Sequence, residues 1–175
     1  SLLKAEPVFV IPDYDEKLHL TLGCRKAGLE SAMSRHQDID AVLITRPNYY
    51  GIAADVKDMI RISRSRGIPF LVDEAHGAHY AFSSLFPRPV MELGADACVQ
   101  SLHKTLPALT QTALVHEGAS SHLEPGSLFK YMSMLQTTSP SYILMASIDI
   151  AREIMEKRGA ELYDALYERI RAFDR

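Results

Sequence analysis

The chain has 175 residues, 47% of them hydrophobic and 23% charged, with a formal charge of −3 at pH 7. That length supports one domain with a real core, since a chain near 150 residues buries roughly 70% of the surface its unfolded form exposes. The charge lacks the basic excess of nucleic-acid binders and no apolar run approaches the roughly 18 residues that span a bilayer, so neither nucleic acid nor membrane is an expected partner.

The opening stretch, SLLKAEPVFVIPDY, has neither the basic flank nor the cleavage pattern of a signal peptide, and a cytoplasmic location is expected. PVFVI, residues 7–11, is a short β-rich run that predicts a strand. RKAGLESAMSRHQ, residues 25–37, has helical spacing through Leu29 and Met33. AVLIT, 41–45, is the next β-branched run. Pro47 and Gly51 then signal a turn, and DVKDMIRISRSRG, 55–67, spaces Val56, Met59, Ile60 and Ser63 as a helix with Gly67 as its stop. PFLVD, 69–73, and DACVQS, 96–101, are two further strands. Cys98 lies in this last apolar run and Cys24 far from it, without a CxxC pattern, so both read as reduced thiols without a function.

Strands alternating with helices predict a parallel sheet covered on both faces, an α/β fold of three αβα layers. From Ser101 to the β-rich QTALVH, 111–116, only about ten residues intervene and Pro107 breaks any helix there, so no crossover fits and that strand is expected to be antiparallel. Three helical patterns follow: SLFKYMSMLQ, 127–136; SYILMASIDIAREIMEK, 141–157, led in by Ser139 and Pro140; and ELYDALYERIRAF, 161–173.

In a parallel sheet, ligands bind beyond the carboxyl ends of the strands. Those positions hold Thr45 to Gly51, then Asp73, Glu74, Ala75, His76, Gly77 and His79, then Ser101, His103 and Lys104. Lys104 stands out, with no carboxylate between Asp96 and Glu117 to neutralise it. Several of these residues have simpler readings. Asp73 can cap local backbone. His76 and His79 lack a third ligand, and no metal is expected. Ser101 and His103 have no GxSxG elbow around them. FLVDEAH also reads as the acidic box of a P-loop ATPase, although nothing here resembles GxxxxGK[ST].

One ligand uses all three clusters, pyridoxal 5'-phosphate. A lysine amine forms a Schiff base when desolvation and neighbouring cationic groups favour its neutral form, which is the setting of Lys104. A carboxylate one strand away, Asp73, would keep the pyridine nitrogen protonated. Ser101 and His103 offer donors to the phosphate, and Ala75 is small enough to lie against a ring face.

LVDEAHGAHY followed by QSLHKTLPALTQTALVH resembles the ornithine/lysine/arginine decarboxylases of the aspartate aminotransferase superfamily, fold type I of the pyridoxal phosphate enzymes. The resemblance runs from LLKAEPVFV through TRPNYYG and these two motifs to LQTTSPSYILMASID. It implies that Lys104 is the Schiff-base lysine, Asp73 the partner of the pyridine nitrogen, Ala75 the ring-packing residue, His76 a neighbour of the ring's O3′ side, and Ser101 and His103 phosphate ligands. The implied reaction is α-decarboxylation of arginine, lysine or ornithine to an amine of polyamine metabolism and CO2, with Lys104 or His76 returning a proton to Cα. Decarboxylation is preferred to transamination on HKTLPALTQ and TTSPSY alone, not on spacing.

The family usually has a serine and a threonine where RPNYYG has Arg46 and Asn48, which predicts an altered substrate contact beside the ring. The resemblance further implies that residues 1–175 form a single cofactor-binding domain of a longer chain. The phosphate loop would lie upstream, and the helices after about residue 122 would lead toward a C-terminal domain. A homodimer or higher homo-oligomer is implied too, with Thr137, Thr138 and Ser139 either reaching a partner's cofactor or forming a plain loop before a helix. A non-catalytic relative that uses the fold for oligomer contacts stays open.

Overall fold

A computed structural model of the chain describes residues 5–173, so the start of the segment LLKAEPVFV lies outside the described residues. PVFVI, expected as a strand, forms none. Phe9 and Ile11 are 77% and 80% exposed, and the run is bracketed by Pro7 and Pro12, which have no N–H to give a ladder. Pairing falls instead to a small hairpin, β1 (Tyr14–Asp15) against β2 (Leu20–Thr21). Its turn is organised by Asp15 Oδ1, which accepts the N–H groups of Lys17 and Leu18 at 2.9 Å each.

After helix α1 (Lys26–Arg35), the central sheet starts with β3 (Val42–Thr45). Helix α2 (Lys57–Ser65) carries the chain to β4 (Phe70–Asp73), which lies parallel to β3. The connection from β4 to β5 (Ala97–Ser101) holds only a 3-10 turn, Tyr80–Phe82, yet still returns the chain parallel. One helical turn, α3 (Leu102–Thr105), and a short loop then lead to β6 (Ala113–Glu117), antiparallel to β5. The sheet order β3-β4-β5-β6 is therefore mostly parallel with one antiparallel strand, the α/β class the sequence predicts. Pro107 stops α3 as expected, its short turn closed by the N–H of Leu106 on Leu102 O at 2.9 Å.

The core follows from strand and helix periodicity. Phe70, Val72 and Cys98 point to one sheet face and meet Leu29 and Met33 of α1 and Met59 and Ile60 of α2, with Val56 and Val90 filling the same cluster. Truncating any one of these large side chains to alanine would cost about 2–5 kcal/mol. Gly67 ends α2 at φ +70, a backbone region glycine enters without steric cost. The other sheet face carries Leu43, Val99 and Val115, which remain 73%, 38% and 36% exposed. At the amino end of the sheet, buried Asp96 accepts from Arg64 Nη1 at 2.8 Å and from the N–H groups of Phe70 and His122 at 2.8 and 2.7 Å, tying α2, β4, β5 and the next loop together.

Helix α4 (Ser127–Leu135) matches its sequence pattern. The two helices expected over 141–157 and 161–173 are one, α5 (Tyr142–Phe173), of 32 residues. Gly159 does not break it, because the absent side chain lets another element approach. A Cβ there would lie 2.9 Å from Phe82 Cβ and 3.1 Å from Met155 Cε. Ion pairs one turn apart, Arg152 with Glu156, Lys157 with Glu153 and Arg158 with Glu161, run through the expected break. No helix among the described residues is long and apolar enough to cross a membrane.

Candidate functional site

Asp73 ends β4 in register with Thr45 of β3 and Val99 of β5, on the face opposite the buried Val72. Its Oδ1 accepts the N–H of Ala75 at 3.1 Å, a local turn that fixes where Ala75 sits. The chain then keeps following β5. The N–H of Glu74 bonds Val99 O at 2.9 Å and the N–H of Ser101 bonds Ala75 O at 3.3 Å, which makes Ala75 and Ser101 neighbours. Ser101 opens α3, in which His103 is half-buried and Lys104 exposed. The structure thus brings Asp73, Ala75, Ser101, His103 and Lys104 to one end of two adjacent strands, with His76 exposed just beyond Ala75.

Among the described residues, neither Asp73 nor Lys104 takes part in an ion pair, and Asp73 Oδ2 accepts no hydrogen bond. His103 Nδ1 lies 2.9 Å from Thr112 O, and since a carbonyl only accepts, that nitrogen carries the proton and Nε2 is the atom left for a ligand.

His79 separates from His76. Its ring sits 4.3 Å from that of Phe86, 4.8 Å from Tyr80 and 5.7 Å from Tyr163, and its buried Nδ1 has no hydrogen-bond partner. Burial pushes its pKa below the ordinary histidine value. Among the described residues, no three His, Cys, Asp or Glu side chains are grouped to hold a metal ion.

Glu74 has an importance that sequence reasoning missed. Alternation sends its side chain to the face opposite Asp73, where it is fully buried and accepts from Arg46 Nη1 at 3.1 Å, Gln100 Nε2 at 2.8 Å and the N–H of Val90 at 3.3 Å. Burial pushes its carboxyl above the usual range, while Gln100, Val90 and Arg46 pull the other way. An arginine that never loses its proton keeps the carboxylate as its ionised partner at neutral pH. Arg46 is 4% exposed and also donates to Ala54 O at 2.9 Å and Arg88 O at 3.0 Å, with Tyr80 under its guanidinium.

This bears on two expectations. Arg46 is turned into the core, where its Nε and Nη1 are bonded, so its side chain does not itself extend from the strand-end face that carries Asp73. Asn48 is equally occupied, donating to Thr21 O at 2.7 Å and accepting the N–H groups of Tyr50 and Ile52 at 3.0 Å. The acidic-box reading of FLVDEAH also fails, since an enclosed Glu74 paired with Arg46 cannot reach a solvated Mg²⁺ or orient water. The signal was available: Asp73 ends β4 and Glu74 continues it extended, so the two face opposite ways, and Arg46 follows Thr45 at the end of β3 with the same alternation.

A family model described as Orn/Lys/Arg decarboxylase, major domain, matches residues 1–174. The chain belongs to this family. Among curated relatives, this decarboxylase-family domain is similar to the uncharacterized protein YaaO of Bacillus subtilis, 40% identical over 156 residues that make up 89% of this chain and 32% of that protein. It is similar to arginine decarboxylase of Bacillus cereus, 38% identical over 162 residues, 91% of this chain and 35% of that one. Arginine decarboxylase of Halalkalibacterium halodurans is 39% identical over 160 residues, 90% of this chain and 32% of that one. The chain therefore spans about a third of the length of the curated relatives it matches. A solved chain from a SepCysS–SepCysE N-terminal domain complex shares the fold of the domain, with a TM-score of 0.51 and 20% identity over 82% of this chain and 41% of that one.

Proposed function

We propose that this chain is the cofactor-binding domain of a pyridoxal-phosphate-dependent decarboxylase that releases the α-carboxylate of arginine, lysine or ornithine as CO2. One observation carries the reading: in a member of the Orn/Lys/Arg decarboxylase family, Asp73 and Lys104, of opposite charge and without ion-pair partners among the described residues, sit at neighbouring strand ends of one sheet. The donor set fits pyridoxal phosphate. It offers an amine for the aldehyde, a carboxylate for the ring nitrogen, an alanine methyl for the ring face, and a hydroxyl and an imidazole for the phosphate.

When bound, the cofactor supplies an electron sink conjugated to the substrate's Cα. Asp73 holds the proton on the ring nitrogen, because an ionised carboxylate within hydrogen-bond reach favours the cationic form of that nitrogen. Ala75, fixed through Asp73 Oδ1, presents a methyl and no competing polar group to the ring. Ser101 donates its hydroxyl to the phosphate. His103, its Nδ1 committed to Thr112 O, has Nε2 left to face the phosphate. Lys104 would hold the cofactor through its amine, and Lys104 or the exposed His76 would be the group that holds a proton for Cα.

The protein acts in the cytoplasm as a homodimer or higher homo-oligomer. Helix α4 supports this, since it buries none of its residues and leaves Phe129, Met134 and Leu135 at 73%, 71% and 83% exposure. Thr137, Thr138 and Ser139, exposed between α4 and α5, would be the residues to reach a partner's cofactor in such an assembly.

CO2 release from arginine, lysine and ornithine by the full-length protein loaded with pyridoxal phosphate tests the reading. Turnover of at least one of the three, abolished in Lys104→Ala, is the expected result. A cofactor-bound protein that releases CO2 from none of them is a non-catalytic relative, and the proposal falls.

A further inference from the structure

The helix α5 presents a single inward stripe at four-residue spacing: Ser147, Ala151, Met155, Gly159 and Tyr163. The three middle positions are buried, with Gly159 against Phe82 of the 3-10 turn. The two end positions each make a hydrogen bond to the short segment that follows Lys104. Ser147 Oγ accepts the N–H of Leu109 at 3.0 Å, and Tyr163 Oη donates to Thr105 O at 3.0 Å. One helix therefore grips both ends of the stretch from Thr105 to Leu109.

The bond to Thr105 matters because of what α3 is. A four-residue helix has no stability of its own, and the carbonyls of its last turn have no intrahelical acceptor role to play. Thr105, the residue after Lys104, finds for its carbonyl a hydroxyl whose position is set from elsewhere. The Tyr163 ring packs edge-on to Phe86 at 4.9 Å and lies 5.7 Å from His79, both in the segment that follows Asp73 and Ala75. Tyr163 thus links the two strand ends that carry the site.

We propose that Tyr163 is a positioning residue for Lys104: its hydroxyl holds the Thr105 carbonyl and so fixes the turn that aims the lysine amine. The proposal rests on the reading of Lys104 as the amine that takes the cofactor. Tyr163→Phe removes the hydrogen bond and keeps the ring, its packing and the helix, which separates positioning from bulk stability.

Two measurements on the full-length protein decide it. In the cofactor-free protein, amide hydrogen exchange over residues 102–106 is expected to speed up by about fivefold in Tyr163→Phe, the size of one hydrogen bond. When pyridoxal phosphate is added and trapped with borohydride, the rate of capture at Lys104 relative to the exposed Lys57 and Lys130 is expected to drop by a similar factor, read by peptide mass mapping. Unchanged exchange and unchanged selectivity in a variant that has lost the hydroxyl would overturn the positioning role while leaving Lys104 as the anchor. Absence of capture at Lys104 in the unsubstituted protein would sink both claims, whatever the variant does.

Discussion

Asp73 and Glu74 are chemically alike and adjacent, and the strand gives them opposite fates. One lies at the open end of the sheet without an ion-pair partner among the described residues; the other is sealed in the core with Arg46. The same division separates His76, exposed at the site, from His79, enclosed by Phe86, Tyr80 and Tyr163. Burial lowers the pKa of His79, so as pH falls through and below the ordinary histidine value of 6.5 the unfolded chain takes up a proton that the folded chain refuses. The stability tied to a neutral His79 is thus present above that value and lost below it. His79→Phe keeps an aromatic ring in the cluster and removes both the titration and the unpartnered Nδ1. The thermal midpoint of the variant should fall less between about pH 7.5 and about pH 5.5 than that of the unsubstituted protein; equal losses would mean that the folded chain protonates His79 as readily as the unfolded one.

At the scale of elements, residues that punctuate a sequence pattern act by what they touch. Gly67 stops α2 where its positive φ is needed, and Gly159 sits in the middle of a helix, between the two patterns the sequence shows. Helix propensity alone would make Gly159→Ala stabilising by about 1 kcal/mol. Against this, the new Cβ would meet Phe82 Cβ at 2.9 Å, an atom too close to the backbone to swing aside, and overpacking of that kind costs about 1–3 kcal/mol. The cost should win, so Gly159→Ala is expected to lower the thermal midpoint; a higher midpoint would show that the 3-10 turn gives way freely. The strands and helices bounded by strong periodicity, α1, α2 and β3 to β5, were legible because one face of each meets the core, whereas the antiparallel β6 followed from the short connection before it. PVFVI was misread because β-branched composition says nothing about whether a neighbouring strand is there to pair with it.

At the scale of the whole molecule, the mostly parallel sheet with a final antiparallel strand explains why chemistry-bearing residues collect at one end. Three parallel strands bring their carboxyl ends together, and the short β5–β6 connection places Lys104 on the rim beside them. That placement followed from the order of strands and the length of one loop, so Asp73, Ala75, Ser101, His103 and Lys104 could be read from the sequence. The tether from α5 could not, because Tyr163 lies 58 residues from Thr105 and nothing in the helix pattern tells which turn meets the site. Alternation after Thr45 signals that Arg46 turns inward, but not that Glu74 is the partner it meets there.

The central claim is that Lys104 is the covalent anchor of pyridoxal phosphate. It is tested most directly by borohydride reduction of the cofactor-loaded full-length protein, followed by peptide mass mapping. The pyridoxyl mass should appear on the peptide that contains Lys104 and be lost in Lys104→Ala. A reduced adduct on another residue, or one that persists in the variant, would contradict the account.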